Sequence, residues 1–239
     1  MSRVVLSGDL HGHIDIWKLN SEHFPEGNNL TKDDYVIILG DFGLVWDNDK
    51  QEPYWRKWLN NKPWTTLFVD GNHDHIPFIN QFPIEEWNGG KIHRISDSIY
   101  HLMRGEVYTI DKNKYLCMGG ATSYDKYLRT KGINWWEEEL PNRYELENLM
   151  SNVMKHKYHI DYVLTHTCPT DIRVSMGYIN SKFMDTDINY YCRLEDFFNS
   201  LYKDLVFKKW YFGHYHIDMD LTDKFRCIYD DKIEIGIYD

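Results

Sequence analysis

Arg3-Val4-Val5-Leu6-Ser7-Gly8-Asp9-Leu10-His11-Gly12 carries the reading of the whole chain. A short β-branched and aliphatic run stops abruptly at Gly-Asp-x-His-Gly, the pattern of a buried strand ending in a polar loop. Residues two apart share a face, so Asp9 and His11 can both point at one cation. Four further apolar runs end in the same way. Tyr35–Leu39 runs into Gly40-Asp41-Phe42-Gly43, and Thr65–Asp70 into Gly71-Asn72-His73-Asp74-His75. Tyr162–Thr165 runs into His166-Thr167-Cys168-Pro169, and Lys209–Phe212 into Gly213-His214-Tyr215-His216. Ligand-type side chains on loops at the carboxyl ends of strands occupy the usual position of a site in an α/β sheet.

Helical segments lie between these runs. Ile14–Ser21 is one, and Pro53–Asn60 is another with Pro in its first turn. Asn134–His156 is helical with a break near Pro141. Ile188–Leu205 repeats apolar residues every three or four positions behind a Thr186/Asp187 cap. From Lys91 to Gly120 the pattern changes to short alternating runs, such as Ile99–Met103 and Glu106–Ile110, which predict an antiparallel meander. Ile217–Tyr238 alternates as well. Two sheets in one domain spanning residues 1–239, with helices outside, follow from this layout.

Composition fits an ordinary folded globular protein. The 239 residues are 42% hydrophobic, 16% aromatic and 27% charged, too rich in core formers for disorder. The net charge of −10 disfavours long duplex nucleic acid, whose binding rests on phosphate neutralisation. Cys117, Cys168, Cys192 and Cys227 show no paired spacing and read as reduced thiols. Cys168 beside His166 reads as loop packing. No run approaches the roughly 20 apolar residues of a membrane span, and Ser2–Ser7 meets Gly8-Asp9 without the layout of a leader. A cytoplasmic protein without membrane association is expected.

Twelve histidines in an acidic chain raise the question of placement, because imidazole both binds transition metals and moves protons. Each loop motif by itself is an ordinary turn. Five in this order are not: Asp41 lies 32 residues after Asp9 (41 − 9), and Asn72 31 residues after Asp41 (72 − 41). The set resembles the calcineurin-like metallophosphoesterases, bacterial and phage-type members included, with motifs running from Asp9 to His216. That resemblance implies a four-layer α/β/β/α sandwich of two mixed β-sheets flanked by helices, and a dinuclear metal centre. It implies that Asp9, His11, Asp41 and His216 hold one ion, that Asp41, Asn72, His166 and His214 hold the other, and that His73 is catalytic and unmetallated. Two divalent ions are expected, Mn²⁺ first, with Fe, Zn²⁺, Ni²⁺ or Mg²⁺ as alternatives. A shell of carboxylates, imidazoles and one amide, without thiolate, agrees with those ions. Asp74 either orients His73 or caps the following helix.

The protein phosphatases of that family carry Asp-Arg-Gly after the second motif and Glu after Asn-His. Here the second motif continues Phe42-Gly43-Leu44-Val45-Trp46-Asp47, and the third ends in Asp74. This departure favours a phosphodiester or nucleotide-type substrate, a short oligonucleotide among them. A phosphomonoesterase acting on phosphoprotein or a small molecule is the alternative enzyme, and a non-catalytic binding module the alternative outside enzymes. Trp46 is the expected pocket wall, and Asp47 a weak candidate for supporting His73. In the Gly119–Trp136 stretch, Tyr124 and Arg129 are expected to touch substrate, with Lys126 and Lys131 as further phosphate candidates. Trp135 and Trp136 either stack a base or, more in keeping with large aromatics, pack the core. His13 and His75 neighbour the ligand loops. Arg104 reads as structural.

Overall fold

The computed structural model describes residues 1–46, 51–177 and 193–236. Thirteen strands among these form two sheets. The first contains β1 (Val4–Ser7), β2 (Tyr35–Leu39), β3 (Thr65–Val69), β4 (Ile84–Trp87), β5 (Gly90–Ser96), β6 (Ile99–Leu102) and β13 (Lys232–Glu234), in the order β13-β1-β2-β3-β6-β5-β4. The second contains β7 (Val107–Ile110), β8 (Asn113–Met118), β9 (Tyr162–Thr165), β10 (Lys209–Phe212), β11 (Met219–Asp220) and β12 (Phe225–Cys227), in the order β11-β12-β10-β9-β8-β7. Both are mixed. Neighbours β1, β2, β3 and β6 are parallel, as are β8, β9, β10 and β12. The flanking strands β13, β5, β4, β7 and β11 join antiparallel.

Strand alternation builds the layers. Leu6, Ile37 and Leu67 stand in register on the inner face of the first sheet and meet Tyr115, Cys117, Tyr162, Leu164 and Tyr211 of the second. Val5, Val36, Ile38 and Phe68 point outward, under Leu59 of α1 (Glu52–Asn60) and Ile76 and Ile79 of α2 (Ile76–Ile79). Leu116, Met118, Val163 and Trp210 point outward from the second sheet, under α3 (Arg143–Lys155), α4 (Thr170–Ser175) and α5 (Arg193–Asp204). The result is the expected α/β/β/α sandwich. No helix among the described residues is long and apolar enough to cross a membrane.

Three local expectations need correction. Ile14–Ser21 is not an α-helix but one tight turn over Ile16–Leu19. Ile14 is 64% exposed, so the first turn has no apolar anchor, and of the apolar side chains only Ile16 and Leu19 are buried. Asn134–His156 divides at Pro141 into a short turn at Glu137–Glu139 and α3. Asn142 starts α3 with a capping box, accepting from the amides of Tyr144 and Glu145 while Glu145 accepts from the amide of Asn142. The Lys91–Gly120 meander is two hairpins on different sheets: β5–β6 in the first, β7–β8 in the second. The Thr186/Asp187 cap expected for the last long helix lies outside the described residues, as do Cys192 and Asp47.

The change of sheet takes place at Met103–Glu106, and Arg104 secures it. Its buried guanidinium lies 2.6 Å from Asp70 Oδ2 and 3.2 Å from Glu145 Oε2, and donates to the carbonyl of Glu138 at 2.8 Å. Asp70 also accepts from His101 Nε2 at 2.9 Å, and His101 Nδ1 meets His93 Nδ1 at 3.0 Å. This chain of buried polar groups links both sheets to α3 just beneath the β3 loop. Arg104→Ala strands Asp70 in the core, and a loss of about 3–5 kcal/mol in urea unfolding is expected. Burial, and then the neighbouring His101 ring, push His93 down to about 4. An unfolded histidine titrates near about 6.5, so below that pH the unfolded chain holds the extra proton and stability falls as pH drops. The urea midpoint of His93→Gln is therefore expected to fall less than that of the parent between pH 7 and pH 5.

Candidate metal centre

The five loops converge on one edge of the sandwich, where the carboxyl ends of β1, β2 and β3 meet those of β9 and β10. Backbone bonds zip them together. Leu10 and His11 donate to the carbonyl of Asp41, Gly12 to that of Phe42, and Gly213 to that of His166. Four of the ligand-type residues sit in the left-handed region, at φ 45° for His11, 46° for Asp41, 69° for His214 and 52° for His216. Asp and His tolerate that region better than most side chains, and strain of this kind gathers at functional sites. Gly40, at φ 97°, makes the approach possible: a Cβ there would lie 2.0 Å from His166 Nδ1.

Two groups of ligand atoms result, Asp9–His11–His216 and Asp41–His166–His214, each within 4.8 Å. Asp41 Oδ2 joins them, 3.4 Å from both His11 Nε2 and His166 Nε2. Asn72 Oδ1 lies 3.1 Å from His166 Nε2. The carboxylates are held by their other oxygens: Asp41 Oδ1 accepts from the amide of His73 at 2.7 Å, and Asp9 Oδ1 from that of His214 at 3.1 Å. All seven expected ligands thus stand together.

The donor set fits cations. Asp9 and Asp41 are almost fully buried. Asp9 Oδ2 has no hydrogen bond, although His216 Nε2 is 3.0 Å away. His11 Nδ1 faces Asp15 Oδ2 at 2.9 Å, and His166 Nδ1 faces the carbonyl of Leu39 at 2.7 Å. Those acceptors keep the proton on Nδ1 and turn Nε2 into the site. Burial by itself would lower both imidazoles, but Asp41 outweighs it, lifting His11 to about 9 and His166 to about 10. Without a cation the site therefore draws in protons, which a bound metal would displace.

His73 sits beside this centre. Burial lowers its pKa, against the pull of Asp41, and its Nε2 lies 3.4 Å from Arg129 Nη2. Asp74 takes neither of its expected places. Its carboxylate accepts from the amides of Phe42, Gly43 and Gly71 at 2.7–3.1 Å, while His75 Nδ1 caps α2 by accepting from Phe78. Asp74 therefore ties the second loop to the third, with burial pushing it up to about 7. Its amide partners are fixed by the turn, and a tandem Asp–His pair gave no hint of which would cap.

Tyr124 stacks on His214 at 5.4 Å. Trp46 packs against Trp136 and His75, with centroids 5.1 and 5.5 Å away, forming an aromatic wall. Trp135 and Trp136 are buried, the packing role. Arg129 reaches His73, while Lys126 lies over the Trp135 ring and Lys131 pairs with Glu137. His13 is exposed, and the buried thiol of Cys168, held well above its ordinary range by burial, faces Tyr215 Oη at 3.6 Å.

Several supporting residues escaped the sequence reading. Asp15 holds His11 and accepts from Tyr229 Oη at 3.2 Å, while Tyr229 stacks on His216 at 4.6 Å. Buried Lys18 donates to the carbonyls of Asp9 and Tyr229 at 3.0 and 3.2 Å. The spacing of four between His11 and Asp15 was a usable signal. The partnership with Tyr229, more than 200 residues away, left none.

A family model described as calcineurin-like phosphoesterase matches residues 2–218. Among solved structures, GAP50, the anchor in the inner membrane complex of Plasmodium, superposes with a TM-score of 0.50 at 13% identity, over 95% of this chain and 71% of that one. A protein of unknown function from Aquifex aeolicus, AQ665, matches at TM-score 0.33 and 14% identity, over 82% of this chain and 94% of that one. No curated protein sequence matches. With the family match spanning all five loops, the chain belongs to the calcineurin-like phosphoesterases.

Proposed function

We propose that the protein hydrolyses a phosphodiester or nucleotide-type substrate with two divalent ions, Mn²⁺ the first candidate. The observation that carries this is Asp41 Oδ2, 3.4 Å from an imidazole of each ligand group, a place from which one carboxylate could serve two ions. When bound, such a pair supplies Lewis-acid activation of water and of the phosphoryl group for in-line displacement. Asp9, His11, Asp41 and His216 would hold one ion, and Asp41, Asn72, His166 and His214 the other.

The chain's own residues supply the rest. His73 stands beside the centre with Arg129, whose Nη2 lies 3.4 Å from His73 Nε2; a guanidinium only donates, so a substrate oxygen that draws the Arg129 N–H to itself frees Nε2 to hold a proton. As the P–O bond breaks, His73 gives a proton to the departing alkoxide. Arg129 is paired with Asp125 at 2.8 and 2.7 Å, which cancels much of its charge. That suits a singly charged diester better than a doubly charged monoester. The half-buried rings of Trp46, backed by Trp136, and of Tyr124 offer flat surfaces for a base or another aromatic group.

With Mn²⁺ restored after chelation, bis(p-nitrophenyl) phosphate is expected to give a higher kcat/KM than p-nitrophenyl phosphate. A clear monoester preference overturns the diester reading, and Mn²⁺ uptake without turnover of either ester favours a binding module. His73→Ala is expected to lower kcat by about 10²-fold or more on an alkyl ester. The loss should be smaller on an aryl ester, whose leaving group needs no proton. Equal losses remove His73 from the role of acid.

A further inference from the structure

Asn72 poses a problem of orientation. An amide has two ends of nearly equal size, and only its oxygen can coordinate a cation. Something must hold Nδ2 away from the site. Asn72 Nδ2 donates to Ser123 Oγ at 3.1 Å, and Ser123 Oγ donates to Glu139 Oε2 at 2.5 Å. Glu139 Oε1 also accepts from the amide of Ser123 at 3.2 Å. All three residues are buried. With its proton committed to Glu139, the Ser123 hydroxyl offers Asn72 only a lone pair, so Nδ2 must face it and Oδ1 must face His166.

Both ends of the connecting segment are fastened to the chain just ahead of Asn72. At its start, Gly120 donates to the carbonyl of Asp70 at 2.8 Å. At its end, Arg104 Nη2 donates to the carbonyls of Glu138 and Glu139 at 2.8 and 3.4 Å while bound to Asp70. The register between Glu139 and Asn72 is thereby set through one buried ion pair.

We infer that Ser123 and Glu139 are positioning residues for the second metal site, a relay that fixes the Asn72 amide with its oxygen toward the cation. The inference rests on the two-ion reading above. Replacing Glu139 by Gln reverses the relay. If the glutamine oxygen keeps the Ser123 amide, its NH₂ faces Ser123 Oγ and drives the serine proton toward Asn72, which favours the flipped amide.

The test is calorimetric titration of metal-free protein with Mn²⁺, together with bound Mn²⁺ per chain by metal analysis. S123A and E139Q are each expected to weaken one of two bound ions by about tenfold or more, leaving the other unchanged. In a N72D background the carboxylate presents oxygen whichever way it turns, so adding S123A should change affinity by less than about twofold on the same reasoning. Undiminished affinity in S123A overturns the relay. An equal tenfold loss in the N72D background also overturns it, because a merely structural serine would act regardless of residue 72. Should E139Q fail to fold, S123A and its N72D partner decide the matter. Parent protein that binds no Mn²⁺ sinks the two-ion reading itself, whereas parent binding of two ions with S123A unaltered sinks the relay alone.

Discussion

Two carboxylates, Asp9 and Asp41, are removed from water at the seam between the sheets, and the rest of the site answers to them. Like charges buried side by side are costly unless positive charge balances them. Amide N–H groups take one oxygen of each, leaving the other directed at imidazole. The left-handed turns at His11, Asp41, His214 and His216 make sense in that light, as the backbone cost of bringing five loops within reach of the same charge. The acidity of the chain thus overstates the negative field at the centre once cations are bound.

Behind the ligands lies a shell of polar contacts from every neighbouring element. Asp15 and the Leu39 carbonyl choose the tautomers of His11 and His166, Asp74 locks two loops together, and Lys18 fastens the backbone of Asp9 to the C-terminal segment. Asp70 and Arg104 serve the third loop from below. A ligand set held by short contacts from several directions loses little entropy when ions enter, and is correspondingly intolerant of small shifts.

The loops were legible because each is a local signal: an apolar run of four or five residues broken by Gly, Asp or His. Strands β2, β9 and β10 match the sequence reading to the residue, and β1 and β3 within one. The seven candidate ligands came with the family resemblance that those loops carry, and the fold brings them together. The sheet membership of β5 to β8 was hidden, since an antiparallel hairpin reads alike in either sheet and the switch depends on Arg104 finding Asp70. Ile14 opens the expected Ile14–Ser21 helix yet faces solvent, a case where three-dimensional context overrides the local pattern. Asp74 was opaque for a related reason. Its three amide partners come from turns 3, 31 and 32 residues away, and no pattern in the chain announces them.

The pairing of β13 with β1 has a bearing on how the protein reaches its working form. The chain leaves the second sheet after β12 and returns to the first, so its last described strand lies beside its first. His11 and His216, which stand in one group of ligand atoms, are 205 residues apart (216 − 11), and so long a separation makes their meeting a costly, non-local closure. The metal centre is therefore a product of complete assembly. A chain still being synthesised, or one cut between the sheets, has the individual loops but not the two ligand groups that they form together.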